Sequence, residues 1–242
     1  MALKTLEKIL EKAKKNDFIS ISELMTGIET GKFLRKEVSE HVLKHSYDAV
    51  KIGVTGPPGS GKSSLINMLI PKLRSQNLSV GVIAIDPSSP ITGGSFLGDR
   101  VRIKNAIDDK DVFVRSMSSR AELGGITELA EDFSDILAFT GKDIVFIETV
   151  GVGQSEYSVS EITDLTMLVF VPESGDEIQL LKAGIFELAD MFIVNKYVVA
   201  STKKDSADKQ IFKTSCKTGN GIEELANALI KSHSSINKNE RQ

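Results

Sequence analysis

The sequence has little of what marks a secreted or membrane-embedded protein. It contains a single cysteine, Cys216, which excludes an internal disulfide framework and fits a reducing compartment. No apolar run approaches the length of about 20 residues that a membrane-spanning helix needs. The first residues, MALKTLEKILEKAKK, form a charged amphipathic pattern rather than a signal peptide. We therefore expect a cytoplasmic protein.

The sequence also lacks an excess of charge of either sign. Its 30 lysines and arginines nearly balance 33 aspartates and glutamates, and the formal net charge is −3. This balance provides no global field that would attract nucleic acid or an anionic membrane, so neither partner is expected. Any anion must therefore be bound locally. Hydrophobic residues make up 40% of the 242 residues, which suits one large α/β domain.

Seven short apolar runs, rich in β-branched residues, alternate with helical patterns along the chain. They are VKIGVT, SVGVIAI, DVFVRS, DIVFIE, TMLVFV, MFIVN and IFKTS. Buried strands separated by helices predict an α/β fold with a doubly wound, mostly parallel sheet flanked by helices. Before the first run, residues 3–15 and 32–45 carry apolar residues at helical spacing and predict two helices.

The first run is followed by GPPGSGKS and then by an amphipathic helix, which is the Walker A pattern in the context that it requires. The glycines allow the backbone to approach a phosphate, and the loop amides and helix N-terminus bind it. Lys62 is expected to neutralise the β- and γ-phosphates, and the Ser63 hydroxyl to ligate Mg²⁺. The predicted nucleotide-binding residues of this loop are Gly56, Pro57, Pro58, Gly59, Ser60, Gly61, Lys62, Ser63 and Ser64.

Carboxylates follow the second run of the predicted sheet. Asp86 comes directly after the strand, and Asp99 lies thirteen residues further on in a glycine-rich loop. Mg²⁺ prefers one or two carboxylates, with water and phosphate oxygens completing its shell. We therefore expect both to be magnesium ligands with Ser63. The alternative for each is the cap of a helix or turn.

The fourth run ends in ETVGVGQSE, which has the layout of a phosphate-sensing switch. Glu148 ends the strand where such switches usually carry an aspartate. Gly151, three residues later, can present its amide to a γ-phosphate. Either Gln154 or Glu156 can orient a water molecule.

Five stretches, in this order along the chain, resemble the MeaB/ArgK family of GTPases. They are GVTGPPGSGKSSL, AIDPSSPITGGSFLGDRVRI, RSMSSRAELGGI, IETVGVGQSE and GDEIQLLKAGIFELAD. The similarity runs from about Leu34 to Lys196 and resumes in KTSCKTGNGIEEL. It implies a P-loop NTPase fold of the SIMIBI-type G domain with a short N-terminal helical extension. The implied divisions are the extension at 1–48, the P-loop GTPase domain at 49–232 and a flexible tail at 233–242.

The family resemblance implies a Mg²⁺-dependent GTPase that acts as a G-protein chaperone of an adenosylcobalamin-dependent methylmalonyl-CoA mutase or a related acyl-CoA mutase. Such a protein gates cofactor delivery and protects the mutase. One alternative is an interaction module with a relaxed base pocket. Another is an ATPase or kinase of an amino-acid transport system, the older label in the family, although no lid segment over the phosphates is evident.

The resemblance also assigns roles to residues. Asp86, Asp99 and Glu148 fall on magnesium and switch positions. The segment 175–182, which ends at Lys182, falls on an additional switch that relays nucleotide state to the mutase. Its alternative is an ordinary amphipathic helix, favoured at its N-terminus by the acidic residues Asp176 and Glu177. The expected catalytic residues are Lys62, Glu148, Gln154 and Lys182. Intrinsic hydrolysis is expected to be slow, because no arginine of this chain is evidently placed to stabilise the transition state. Arg100, Arg115 and Arg120 are the candidates, and none has an assigned role.

The stretch FIVNKYVVAS ends an apolar strand with an Asn-Lys pair, as in proteins that read guanine. Such proteins carry an aspartate two residues after the lysine, where this chain has Val198. Asn195 and Lys196 can still contact a purine, and amides of the loop Ser215, Cys216 and Lys217 can donate to the guanine carbonyl. We expect a guanine site with reduced discrimination. Candidates to replace the carboxylate are Asp205 and Asp208.

Two departures from the family concern assembly. Only eighteen residues separate Lys196 from Ser215, where the family has a longer helical insertion. The C-terminal dimerisation arm of the family is also largely absent. A homodimer would therefore need a different interface.

Overall fold

Seven parallel strands form one sheet, and each corresponds to one of the apolar runs in the sequence. The computed structural model describes residues 2–45, 48–86, 109–118, 123–149, 154–171, 185–196 and 210–239. The strands are β1 (Val50–Thr55), β2 (Val80–Asp86), β3 (Val112–Ser118), β4 (Ile144–Glu148), β5 (Leu165–Phe170), β6 (Met191–Val194) and β7 (Gln210–Lys213). The helices are α1 (Ala2–Lys14), α2 (Phe18–Glu29), α3 (Arg35–Leu43), α4 (Lys62–Arg74), α5 (Leu123–Phe139), α6 (Gln154–Glu161), α7 (Ile185–Leu188) and α8 (Ile222–Asn239).

The strand order is β3-β2-β4-β1-β5-β6-β7, and every neighbouring pair is parallel. The prediction of a doubly wound parallel sheet is therefore confirmed. Strand β1 lies between β4 and β5, so the chain builds the sheet outward from β1 in both directions. In such sheets a crevice opens at the carboxyl ends of the strands where the order reverses. The loop that follows β1 lies at this crevice.

The two faces of the sheet are both covered by helices, which explains why the strands read as continuous apolar runs. Ile144 and Phe146 of β4 belong to the hydrophobic cluster that includes α4 and α8. Val145 and Ile147, which alternate with them, belong to the cluster formed with α1, α2, α3 and α5. This alternation follows from the two-residue period of a strand. All five residues of β4 are buried.

The N-terminal part of the chain contains three helices, and α1 and α3 match the two that the sequence predicts. Helix α2 has no counterpart among the predicted helices, because it contains several residues of low helix propensity, including Gly27. The helix is favoured instead by the capping residue at its N-terminus. The Asp17 side chain accepts hydrogen bonds from the backbone N–H of Ser20 at 3.0 Å and from its hydroxyl at 2.5 Å.

Ion pairs join the N-terminal helices to the sheet and to α5. Arg35, at the start of α3, contacts Asp132 and Glu128 of α5. Arg115 of β3 donates to Glu29 of α2 at 2.8 Å. These contacts accompany a shared hydrophobic cluster, so α1, α2 and α3 form one wall of the same core as α5.

The last helix continues further than the sequence suggests. Residues 233–239, for which a flexible tail is predicted, form the final turns of α8. Leu229 of this helix lies in the core, and Ile236, seven residues later on the same face, packs against it, which favours the continuation of the helix. No helix in the part of the chain that the structure describes is both long and apolar enough to cross a membrane.

Lys142 is a buried lysine in the turn before β4 and is 2% exposed. Its Nζ donates to Asn16 Oδ1 at 2.8 Å and lies 5.6 Å from the centre of the Phe18 ring. Burial lowers the pKa of Lys142 to about 8, although the nearby carboxylate of Asp111 favours the charged form. The turn between α1 and α2 is therefore held by a lysine that loses its proton unusually easily.

This pKa shift predicts a pH dependence of stability. Between about pH 8 and pH 10.5 the unfolded chain, with the ordinary lysine pKa of 10.5, binds more protons at Lys142 than the folded chain does. Through this group, stability rises with pH across that window, by up to about 3 kcal/mol. We expect Lys142→Met to lack this rise when the free energy of unfolding is measured by urea denaturation at several pH values. Replacing the exposed Lys110 in the same way should leave the rise intact, and a rise that persists in Lys142→Met would contradict the assignment.

Candidate functional site

The glycine-rich loop between β1 and α4, residues 56–61, lies at the carboxyl edge of the sheet. Pro58 and Gly59 are exposed at its tip, whereas Ser60 is buried. Lys62, the first residue of α4, is 5% exposed, and its Nζ donates to the carbonyl oxygens of Gly56 at 2.7 Å and Pro57 at 3.1 Å. The lysine therefore lies against the loop. The loop and the N-terminus of the 13-residue helix α4 form an arrangement that binds phosphate.

Ser63 and Glu148 come together beside this loop. The Ser63 hydroxyl donates to Glu148 Oε1 at 2.6 Å, although the two residues are 85 positions apart. Glu148 is the last residue of β4 and is 8% exposed, and its Cα is in register with Val54 of β1. The parallel pairing of β1 with β4 thus brings a carboxylate to the first turn of α4. Two oxygen donors side by side fit a hard cation such as Mg²⁺.

The remaining predicted metal and switch residues are placed only in part. Asp86 ends β2, two positions beyond the residue that pairs with Glu148, so its backbone lies at the same edge. The structure does not describe its side chain. Gln154 begins α6, and its side chain and that of Glu156 are likewise not described. Asp99, Gly151, Asp176, Glu177 and Lys182 lie outside the described residues.

The Asn-Lys pair contacts the phosphate loop directly. Asn195, which follows β6, is 1% exposed, and its Nδ2 donates to the carbonyl oxygen of Ser60 at 2.8 Å. Lys196 adopts a positive φ of 58°, and its Nζ donates to the carbonyl oxygen of Gly59 at 2.7 Å. The pair therefore connects the end of β6 to the loop that follows β1.

The loop after β7 adjoins the other side of Asn195. Thr214 Oγ1 donates to Asn195 Oδ1 at 3.3 Å, and the Cys216 thiol does so at 3.5 Å. Burial raises the pKa of the Cys216 thiol, which keeps it protonated and able to donate. The Ser215 N–H donates to Asn220 O at 3.0 Å, so this amide is engaged within the turn. The amides of Cys216 and Lys217 remain the candidates for contact with a base.

Thr214 is a site residue that sequence reasoning missed. Its position just before the predicted base loop is the only signal that the sequence offers, and its contact with Asn195 depends on the pairing of β6 with β7. The predicted residues Val198, Asp205 and Asp208 of the connection between these strands lie outside the described residues.

Of the three arginines considered for stabilising the transition state, the one that the structure describes is not at the phosphate loop. Arg115 lies on β3, where it donates to Glu29 and to the Thr26 hydroxyl of α2 and lies 5.8 Å from the centre of the Phe133 ring. It therefore has a structural role between the sheet and the N-terminal helices. Arg100 and Arg120 lie outside the described residues.

Comparison with known proteins identifies the family of the chain. The family model for the methylmalonyl-CoA mutase-associated GTPase MeaB matches residues 21–242. The chain belongs to the MeaB family. The match includes the phosphate loop, Glu148 and the Asn-Lys pair.

Individual relatives in the MeaB family are similar over most of this chain. The chain is 41% identical over 207 residues to a putative GTPase of Pyrococcus abyssi, covering 86% of this chain and 62% of that protein. It is 33% identical over 196 residues to the GTPase ArgK of Escherichia coli, covering 79% of this chain and 59% of that protein. The chain thus spans about three fifths of the length of these relatives.

A solved structure described as LAO/AO transport system kinase has the same fold. It superposes with a TM-score of 0.74 over 98% of this chain and 77% of that one, at 22% sequence identity. The likeness confirms the P-loop NTPase fold.

Gly61 provides a test of the contact between Asn195 and the phosphate loop. Its φ is 96°, and a Cβ at this position would lie 2.4 Å from Asn195 Nδ2. Gly31, in the turn between α2 and α3, has a φ of 71° with no atom of another part of the chain within 4 Å of such a Cβ. Alanine in a left-handed conformation costs about 1–2 kcal/mol at either position. We expect Gly61→Ala also to displace Asn195 and to lower GDP affinity, measured by calorimetry, at least about tenfold.

Gly31→Ala is the matched control, because it adds the backbone strain without the collision and lies outside the predicted nucleotide-binding residues. It should lower the melting temperature but retain most of the GDP affinity. Equal loss of affinity in both variants would contradict a role for the Asn195 contact.

Proposed function

We propose that this chain is a Mg²⁺-dependent, guanine-nucleotide-binding and GTP-hydrolysing switch. The observation that carries the proposal is the hydrogen bond between Ser63 and Glu148 at 2.6 Å beside the phosphate loop. It joins the hydroxyl that follows the Walker A lysine to the carboxylate at the end of β4. A purely structural glycine-rich turn would need no buried carboxylate there, since burying an acid is unfavourable without partners.

The residues of the loop account for binding of the phosphate chain. Backbone amides and the N-terminus of α4 present partial positive charge to the phosphates. Lys62 supplies a full positive charge from a position held by the loop carbonyls of Gly56 and Pro57. Such preorganised groups stabilise the charge that spreads over the phosphate oxygens during transfer. The chain therefore carries the groups that hold the β- and γ-phosphates.

Ser63 and Glu148, with Asp86 at the same edge of the sheet, are the residues that would hold Mg²⁺. When bound, the cation neutralises phosphate charge and orients the transferred group. Glu148 has a second role as the start of the switch, because the residues after it lead to Gly151 and Gln154. Gln154, at the N-terminus of α6, is the candidate to orient the attacking water.

Slow intrinsic turnover is part of the proposal. Arg115 is engaged by Glu29 and Thr26 of α2, so it is not available as an arginine that stabilises the transition state. An arginine supplied from outside accelerates such reactions by about 10³–10⁵-fold. We infer that hydrolysis becomes fast only when another group completes the site.

The proposed partner is an adenosylcobalamin-dependent acyl-CoA mutase of the methylmalonyl-CoA mutase type. What supports it is the family, which is described as methylmalonyl-CoA mutase-associated. The segment that ends at Lys182 is the proposed relay between nucleotide state and the mutase. Phosphate release measured with and without a purified mutase of this class tests the association, and identical rates would argue against it.

A second candidate is a purine-nucleotide-dependent interaction module with relaxed base specificity. The feature that favours it is Val198, which stands where guanine readers carry an aspartate. A valine cannot accept the hydrogen bonds of the guanine ring N–H and amine. We propose a guanine preference that is retained but weakened.

Glu148→Gln tests the switch function. The amide retains the shape and an oxygen but removes the charge that attracts Mg²⁺, so we expect Mg²⁺-dependent GTP hydrolysis to fall at least about tenfold. Nucleotide binding in EDTA should stay within about threefold of the parent, because the phosphate loop is intact. Glu161→Gln, at an exposed position at the end of α6, is the control and should change neither. Equal loss of binding with and without Mg²⁺ would assign Glu148 a structural role instead.

Val198→Asp tests the base preference. Regaining about one charged hydrogen bond should sharpen the preference for GDP over ADP by roughly tenfold or more in calorimetry. Val199→Asp places the same carboxylate one residue away and should not. Tighter binding of ADP than of GDP by the parent would overturn the guanine assignment.

A further inference from the structure

Two of the three histidines of the chain lie side by side at the end of α3. His41 is in the last turn of this helix, and His45 follows four residues later, a spacing that brings two side chains to the same side of a helix. The centres of the two rings are 4.7 Å apart, and the ring planes meet at 31°. The pair lies among the N-terminal helices and is not part of the candidate nucleotide site.

A hydrogen bond shows which nitrogen of His45 carries its hydrogen. His45 Nδ1 lies 2.8 Å from the backbone carbonyl oxygen of His41. A carbonyl oxygen can only accept, so Nδ1 is the donor, and in the neutral ring the lone pair is then on Nε2. Histidines that bind metals almost always donate their other ring N–H to a carbonyl or carboxylate in this way. His45 is therefore in the tautomer that metal binding through Nε2 requires.

His41 packs against the wall formed by α1 and α5. Its ring meets the Phe139 ring edge-on, with the ring centres 5.9 Å apart. Burial is the main cause that lowers the pKa of His41, so the ring is unprotonated at neutral pH, as a metal ligand must be. Among the nearby charges, Glu7 favours a bound cation, whereas Lys14 and Lys44 oppose it. The charges around the pair thus partly cancel, and the ring nitrogens decide what binds.

The separation of the two rings fits two ligands of one ion. Zn²⁺ binds an imidazole nitrogen at about 2.0–2.1 Å, and the ring centre lies about 1.1 Å beyond that nitrogen. Two rings bound at angles between a right angle and the tetrahedral angle therefore have their centres about 4.5–5.2 Å apart. The observed 4.7 Å lies within this range. Rotation of the side chains alone can then bring one nitrogen of each ring to the same ion.

We propose that His41 and His45 form a binding site for a divalent transition-metal cation, with Zn²⁺ as the representative ion. Imidazole nitrogens suit Zn²⁺, Cu²⁺ and Ni²⁺, whereas Mg²⁺ and Ca²⁺ require oxygen ligands. In the described part of the chain, no group of three or more histidine, cysteine, aspartate or glutamate side chains could hold a metal ion, so water completes the shell. The site differs from the proposed Mg²⁺ site in place and in ligands, and it does not depend on nucleotide binding.

A histidine that only caps the helix would make the same hydrogen bond. The His41 carbonyl is one of the last four of α3, which have no partner within the helix, and histidine side chains near a helix C-terminus often bind such groups. A cap uses only Nδ1 of His45. A metal site also needs Nε2 of His45 and a ring nitrogen of His41, so variants can separate the two roles.

Three variants make this separation. His45→Asn can still place an N–H near the position of Nδ1, but it offers no second ring nitrogen. His41→Phe retains an aromatic ring against Phe139 and removes both nitrogens. His233→Asn is the matched control, because it removes the remaining histidine, which lies on α8 at the other face of the sheet.

The variants are compared by calorimetry with Zn²⁺ in excess Mg²⁺, so that a site of oxygen ligands is already occupied. We expect the parent to bind one Zn²⁺ through the pair, and His45→Asn and His41→Phe each to weaken this binding at least about tenfold. His233→Asn should bind Zn²⁺ as the parent does. Excess Zn²⁺ should also raise the melting temperature of the parent and of His233→Asn, but not that of the other two variants.

Several outcomes would overturn the site. They are parental Zn²⁺ affinity in either variant of the pair, an equal loss in His233→Asn, and a parent that binds no Zn²⁺. If a variant of the pair does not fold, the parent itself provides the test. Zn²⁺ should then shift the ring-proton NMR signals of two of its three histidines, and unchanged signals would contradict the proposal.

Discussion

The hydrogen bond from the Asn195 side chain to the Ser60 carbonyl joins two parts of the chain that are far apart in sequence. The phosphate loop follows β1 at the centre of the sheet, and Asn195 follows β6 near its edge. Only the parallel arrangement of β1, β5 and β6 brings their carboxyl ends into reach. The hydrogen bond also requires glycine at position 61, since a Cβ there would occupy the space of the Asn195 side-chain amide. The candidate nucleotide site therefore depends on sheet order and on one glycine.

The second cluster of the site has the same origin. Glu148 reaches Ser63 because β4 pairs with β1 on the side opposite β5. The strand order places the two clusters on opposite sides of β1. Strand β4, on one side, carries the carboxylate, and strands β5 and β6, on the other side, lead to the Asn-Lys pair. Lys62 and the loop lie between them. A local motif alone would bind phosphate, but the sheet adds the carboxylate and the Asn-Lys pair, to which the proposed function assigns the metal and the base.

The seven strands are predictable from the sequence because strands that are buried on both faces appear as continuous apolar runs. Helix α2 is not, because several of its residues are poor helix formers and it depends on the Asp17 cap and on burial in the cluster shared with α5. The Walker A loop is predictable because its chemistry is local. The contacts of Asn195 with Thr214, and of Arg115 with Glu29, are not, since they require strand pairing and helix docking that no local pattern encodes. Position at a strand end indicates candidates, and the fold decides which of them meet.

The three N-terminal helices share one hydrophobic cluster with α5 and with strands β2, β3 and β4. The residues before β1 are therefore part of the hydrophobic core, although they precede the first strand in the chain. Removing them would expose buried residues such as Phe133 and Ile83 to water and leave Arg115 without its partners on α2. Folding units are defined by shared burial rather than by sequence order. Because they share this cluster, we expect the N-terminal helices and the neighbouring half of the sheet to unfold together.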